Sequence, residues 1–122
     1  MTRAALLALL VAFPLAGQPL PQAVDGDTFR LDGEAFRIVG LDAPEMHARC
    51  MSEYLGAVRA RARLAELLQG GVVITRRGTD LYGRTLAIVR DLEGRDVAQV
   101  MIAEGLARPY DGRTRRQPWC EE

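Results

Sequence analysis

Apolar positions along this chain follow two rhythms, and the changes between them predict its elements. Residues 28–31 alternate, with Phe29 and Leu31 as the apolar positions, the period-two pattern of a half-buried strand. Asp32 and Gly33 follow as a two-residue hairpin signal. Residues 35–41 then read as the returning strand, stopped by Pro44. A ragged first strand over 18–24 precedes them, broken by Pro19 and Pro21. From Ser52 the rhythm is helical. Leu55, Val58, Ala62, Ala65 and Leu68 predict a helix over 52–69 that buries this stripe, with Arg59, Arg61 and Arg63 mostly solvated and Gly70-Gly71 as its stop. Residues 72–75 are an apolar, β-branched strand, 76–83 a polar connection, and 85–89 the last clear strand. After a turn at Glu93-Gly94, Asp96 is a good N-cap for a second helix, with Val97, Val100, Met101 and Leu106 facing inward and Gly105 near its end. Residues 108–122 show no hydrophobic period.

The predicted order is therefore three strands, a helix, two strands and a helix. The class is α+β, mainly β, and five short strands with a helix between the third and fourth suit a five-stranded Greek-key barrel of OB type with two flanking helices. Periodicity alone also allows other α+β arrangements.

The N-terminal pattern changes the domain picture. Arg3 precedes an apolar run over residues 4–12, and Phe13, Pro14, Leu15, Ala16 and Gly17 end it with small residues. This reads as a signal peptide over 1–17, too short to span a bilayer comfortably; a buried N-terminal helix is the alternative. One domain over 18–122 is expected, exported to the periplasm or the exterior, with no membrane segment once processed. Sixteen basic residues, all Arg, balance sixteen acids, so no global field draws in nucleic acid and any such contact must be local. Cys50 and Cys120 are the only cysteines. In an exported chain, two cysteines point to one disulfide, with two free buried thiols as the alternative. One His and two distant Cys do not make a zinc site, and His47 reads as a loop residue.

Chemistry concentrates in one stretch. Val24, Asp25, Gly26, Asp27 and Thr28 lead into the hairpin, and Arg37, Asp42, Ala43, Pro44 and Glu45 follow from it. A hairpin brings its outer ends together, so Asp27 and Asp42 are expected side by side. Converging carboxylates repel, and a hard cation such as Ca²⁺ resolves the conflict. Arg37, expected on the same strand as Asp42, brings a planar donor fork suited to phosphate. The competing explanation is a solvated acidic turn. Asp80, Leu81, Tyr82, Gly83 and Arg84 form a second cluster before the last strand, with Gly83 permitting a tight turn and Arg84 offering a second fork.

Together the two clusters, with Gly105, Leu106 and Ala107 after them, resemble the thermonuclease family of the staphylococcal nuclease type in order and spacing, over nearly the whole processed chain. The resemblance implies an OB barrel with flanking helices and a Ca²⁺-dependent phosphodiesterase acting on DNA and RNA. By the same resemblance Asp27, Asp42 and the Ala43 backbone carbonyl would hold Ca²⁺, with Asp25 behind them. Glu45 would lie against the attacking water, Arg37 and Arg84 would bind the scissile phosphate, and Tyr82 and Tyr110 would line the nucleotide pocket, with Asp80 supporting its motif. Three departures stand out. Leu81 occupies a position where the family often has Lys, which removes a charge from end-phosphate binding. Ala43 stands where Thr is frequent. Family members of the best-known kind have a long C-terminal helix, for which a Cys120 link is expected to substitute here. Single strands are the expected preference, because base stacking on Tyr82 and the barrel face tolerates any sequence. A monomer without an obligate protein partner is expected.

Two other readings compete. A catalytically inactive OB module that only binds nucleic acid would be expected to lack Asp27, Asp42, Glu45 or one of the arginines, and all are present. A disulfide-stapled structural or inhibitor domain explains neither cluster.

Overall fold

A computed structural model describes residues 19–121. The signal-peptide reading of residues 1–17 lies outside the described residues. Strands β1 (Gln22–Asp25), β2 (Thr28–Leu31) and β3 (Glu34–Ile38) form the antiparallel start of a sheet. Asp32 and Gly33 both take left-handed backbone angles, φ 51° and 77°, as the two-residue hairpin turn requires. The turn sets Phe29 opposite Phe36, and the two rings stack at 5.0 Å in the centre of the core.

The chain then departs from the expected single strand over 35–41. Gly40, at φ 98°, turns it out of the sheet after Ile38, and a short β4 (Leu41–Asp42) pairs instead with β7 (Arg108–Pro109). A left-handed angle of this size is strained for any residue with a side chain. Arg37 and Asp42 consequently sit on different strands, folded toward each other across the bend.

Helix α1 (Met51–Leu68) has nearly the predicted limits but another buried face. Ala57, Ala60, Leu64, Leu67 and Leu68 point inward, whereas Leu55, Ala62 and Ala65 are exposed and Val58 is half-buried. Close approach sets this face. A Cβ on Gly26 would lie 2.6 Å from the Ala60 Cβ and 2.8 Å from the Ala43 Cβ, so the β1–β2 turn rests on a surface that only small side chains leave open. A stripe chosen by side-chain size misses an interface made of alanine.

Strand β5 (Val72–Thr79) runs four residues past the predicted limit, and β6 (Thr85–Asp91) two past its own. Arg76 to Thr79 continue the pairing with β6 through an irregularity between Arg76 and Gly78, their polar side chains in solvent. Arg76 bonds Glu34, which also accepts from the Thr85 hydroxyl at 2.6 Å. These two bonds, the Arg76 one foremost, hold the Glu34 carboxyl down at about 2. Helix α2 (Val97–Ala103) is capped by Asp96, which accepts from the Gln99 N–H, and it buries Val97, Ala98 and Met101.

The main sheet has the order β1-β2-β3-β6-β5, with β3 and β6 parallel. The α+β class and the five-strand sheet with two helices agree with the OB-like expectation, but the barrel is not closed. β1 and β5 remain edges, and the β4–β7 pair stands as a separate sheet. No helix among the described residues is long and apolar enough to cross a membrane.

Candidate active site

The β1–β2 turn carries Asp27, the end of β3 carries Arg37, and β4 ends in Asp42; these side chains meet under the bend at Gly40. All three are buried, at 4 %, 8 % and 2 % exposure. Arg37 is held by the main chain it bends around, donating Nη1 to the Ile38 carbonyl at 2.8 Å and the Leu41 carbonyl at 3.0 Å. Its Nη2 stands 3.4 Å from Asp27 Oδ2 and 4.0 Å from Asp42 Oδ1. The Ala43 N–H donates to Asp27 Oδ2 at 2.9 Å, and the Thr28 hydroxyl to Oδ1 at 3.0 Å. Burial nevertheless pushes the Asp27 carboxyl above the usual range, against the pull of Arg37 and the Ala43 N–H. Two buried carboxylates that share Arg37 offer hard oxygen donors of the kind Ca²⁺ takes.

Asp25 accepts the Met46 N–H at 2.9 Å and so ties down the loop that holds Glu45 at the rim. The second cluster is built as a self-contained turn. Asp80 accepts from the Tyr82 and Arg84 N–H groups, both at 2.9 Å, and from Arg84 Nε at 2.7 Å. Burial alone would raise the Asp80 carboxyl, but these bonds outweigh it and hold it low. Tyr82 is fully exposed, with the Arg84 guanidinium 5.4 Å over its ring. No ion pair among the described residues links Arg84 to Asp27 or Asp42. Tyr110 is also apart: its hydroxyl donates to the Thr114 carbonyl at 2.9 Å, and it borders a shallow depression beside Gly40 and Pro109.

The C-terminal tail adds side chains that the sequence reading did not assign. Arg108 Nη2 lies 3.3 Å from Asp42 Oδ2, and Arg116 Nη1 lies 3.4 Å from Asp42 Oδ1 and 2.8 Å from Glu45 Oε1. Arg108 also bonds the Gln117 carbonyl and stacks 3.8 Å over the Trp119 ring. Cys120 is bonded to Cys50 at the start of α1, with the Cα atoms 6.1 Å apart. Glu53 beside this bridge is buried and accepts the Arg49 N–H at 2.9 Å. Tail and acid loop together enclose an open cleft of about 660 Å³, with Asp42, Glu45, Arg116 and Trp119 among its lining.

Residues 35–120 match the family described as staphylococcal nuclease homologue. The chain belongs to that family. The matched span contains Arg37, Asp42, Glu45, both members of the Asp80–Arg84 pair and the tail up to Cys120, and it begins after Asp27. Among curated proteins, this nuclease homologue is 31 % identical over 106 residues to the succinoglycan biosynthesis protein ExoI of Rhizobium meliloti (strain 1021). The match covers 82 % of this chain and 54 % of that protein, so the chain spans about half the length of this relative.

Arg108 and Arg116 escaped the sequence reading because the tail has no period to orient them. One signal was available. A bridge between the two cysteines carries the four tail arginines back to the start of α1, just after Glu45.

Proposed function

We propose that this nuclease homologue is a Ca²⁺-dependent phosphodiesterase that cleaves DNA and RNA, preferring single strands. The observation that carries the reading is the buried convergence of Asp27, Asp42 and Arg37 next to the rim carboxylate Glu45. Asp27, Asp42 and the Ala43 carbonyl would hold the cation. When bound, Ca²⁺ supplies charge neutralisation and orientation of a phosphate oxygen.

The remaining steps belong to the chain. Arg37 is pre-oriented by two main-chain carbonyls, with its Nη2 facing Asp27 and Asp42, so its fixed positive charge would stabilise the charge that develops on a phosphate held beside those carboxylates. Glu45 is exposed enough to meet water, and its carboxylate orients the attacking molecule or takes its proton. Arg84 contributes a second fork once substrate competes with Asp80 for its guanidinium, and Tyr82 offers an open ring face for a base.

The chain acts as an exported monomer on this reading. Export is supported by the Arg3-then-apolar pattern before residue 18 and by the Cys50–Cys120 bridge, since oxidising compartments preserve disulfides. The test is degradation of single-stranded DNA and RNA by purified, oxidised protein in Ca²⁺, with EDTA as the control. A folded sample that cleaves neither polymer with any divalent metal would refute the reading. Binding without cleavage, unaffected by EDTA, would favour an inactive OB module, a reading that gains some support from the guanidinium groups already on Asp42.

A further inference from the structure

We infer that Arg116 is a substrate-phosphate contact, delivered to the site by the bridged tail. The inference rests on the nuclease reading above and adds to it a residue and a binding wall. Arg116 Nη1 bridges Asp42 and Glu45, the proposed cation ligand and the proposed water-side carboxylate. Its side chain is nearly half exposed and borders the open cleft. The pair with Glu45, exposed on both sides, is worth roughly 0–1 kcal/mol, so that carboxylate positions the guanidinium without locking it.

Charge in the cleft decides what Arg116 meets when a cation arrives. The lining carries three carboxylates, Asp42, Glu45 and Glu53, and three guanidinium groups, Arg49, Arg115 and Arg116. A divalent cation held by Asp42 would turn this balanced wall positive by two and would compete with Arg116 for that carboxylate. The freed fork then faces a cleft that requires anions, and phosphodiester groups flanking the scissile one are the anions a nucleic acid brings. The tail cannot drift from this position. Cys50–Cys120 fixes one end, and the Arg108 contacts with Gln117 and Trp119 hold the stretch between.

The experiment measures binding of a single-stranded phosphorothioate oligonucleotide, which resists cleavage, to the oxidised protein in Ca²⁺ across a salt series. Arg116→Ala should weaken binding about tenfold at low salt and reduce the slope of log K against log[salt] by about 0.7, the share of one phosphate contact on a single strand. Arg116→Lys should restore the slope and part of the affinity. Arg59→Ala, on the exposed face of α1, should match wild type. A slope in Arg116→Ala equal to wild type overturns the assignment, because a purely structural ion pair would change the melting temperature and leave the counterion count intact. Wild-type protein with no Ca²⁺-dependent binding would instead refute the nuclease reading, and this assignment with it.

Discussion

Opening the Cys50–Cys120 bridge should cost this protein much of its stability. The bridged residues are 70 apart in sequence, and the chain-entropy model assigns a loop of that length about 4.4 kcal/mol at 25 °C. For about 100 ordered residues the unfolding entropy near the midpoint is about 0.2 kcal/mol/K, so the full effect corresponds to a fall of about 20 °C in Tm. That value is an upper bound, because the reduced tail regains freedom in the folded state too. Its other anchors include an Arg108–Gln117 bond, the stack on Trp119 and the ion pairs of Arg116 with the buried Asp42 and the half-exposed Glu45. The order of events is therefore specific: the tail should loosen before the sheet melts. Thermal unfolding of the wild type with and without a phosphine reductant, and of a Cys50→Ser/Cys120→Ser variant, gives the magnitude; hydrogen exchange over residues 111–121 gives the order. Coincident melts in both redox states, or two free thiols in the denatured, unreduced protein, would refute the reasoning. Reduction should also lower activity, since Arg116 travels with the tail.

Three further outcomes follow from the site. Arg37→Ala should lose orders of magnitude in turnover and also about 3 kcal/mol of stability, because it strands the buried Asp27, whereas Asp42 keeps Arg108 and Arg116; Arg84→Ala should lose turnover with little change in the urea midpoint, and Asp42→Ala should weaken Ca²⁺ binding in titration calorimetry. The Asp27 carboxyl is raised on folding, so the folded, metal-free protein binds more protons there than the unfolded chain, and the contribution of this group to stability rises as pH falls through that raised value toward 3.8, against the opposite trend of Glu34 and Asp80. Asp27→Asn should flatten this rise and stabilise the metal-free protein at neutral pH; an unchanged pH profile of the denaturant midpoint contradicts the sign. Gly26→Ala should destabilise by about 1–3 kcal/mol, because its methyl would overlap Ala60 and Ala43, and a wild-type urea midpoint would show that the turn does not rest on the helix as described.

What the sequence disclosed depended on how local each signal was. The Asp32-Gly33 turn, the Asp96 cap and the convergence of Asp27 with Asp42 are decided within about twenty residues, and all were legible. The buried face of α1 was not, because Ala57 and Ala60 are selected by the approach of Gly26 from a distant turn, a constraint without a periodic trace. The break at Gly40 hid behind residues of high strand propensity. Barrel closure was over-read: an order of strands does not fix whether the edges β1 and β5 meet. Arg116 was invisible for the opposite reason to Asp42, since only a crosslink across 70 residues gives it a neighbourhood.

The parallel pairing of β3 with β6 also sets a timetable. Residues 36–38 find their partners at 85–87 only after α1 and β5 have been made, a long loop closure that slows folding relative to the local hairpin. The carboxylates and Arg37 all lie within the first 45 residues, whereas Arg108 and Arg116, which also lie on Asp42, come far later in the chain and the covalent latch at 120. Disulfide formation takes seconds to hours, far longer than closing the opening hairpin. The opening hairpin, with Arg37 in it, therefore forms well before the bridge holds the tail arginines over Asp42. On the proposed function, the order of metal supply and oxidation becomes a kinetic variable in maturation.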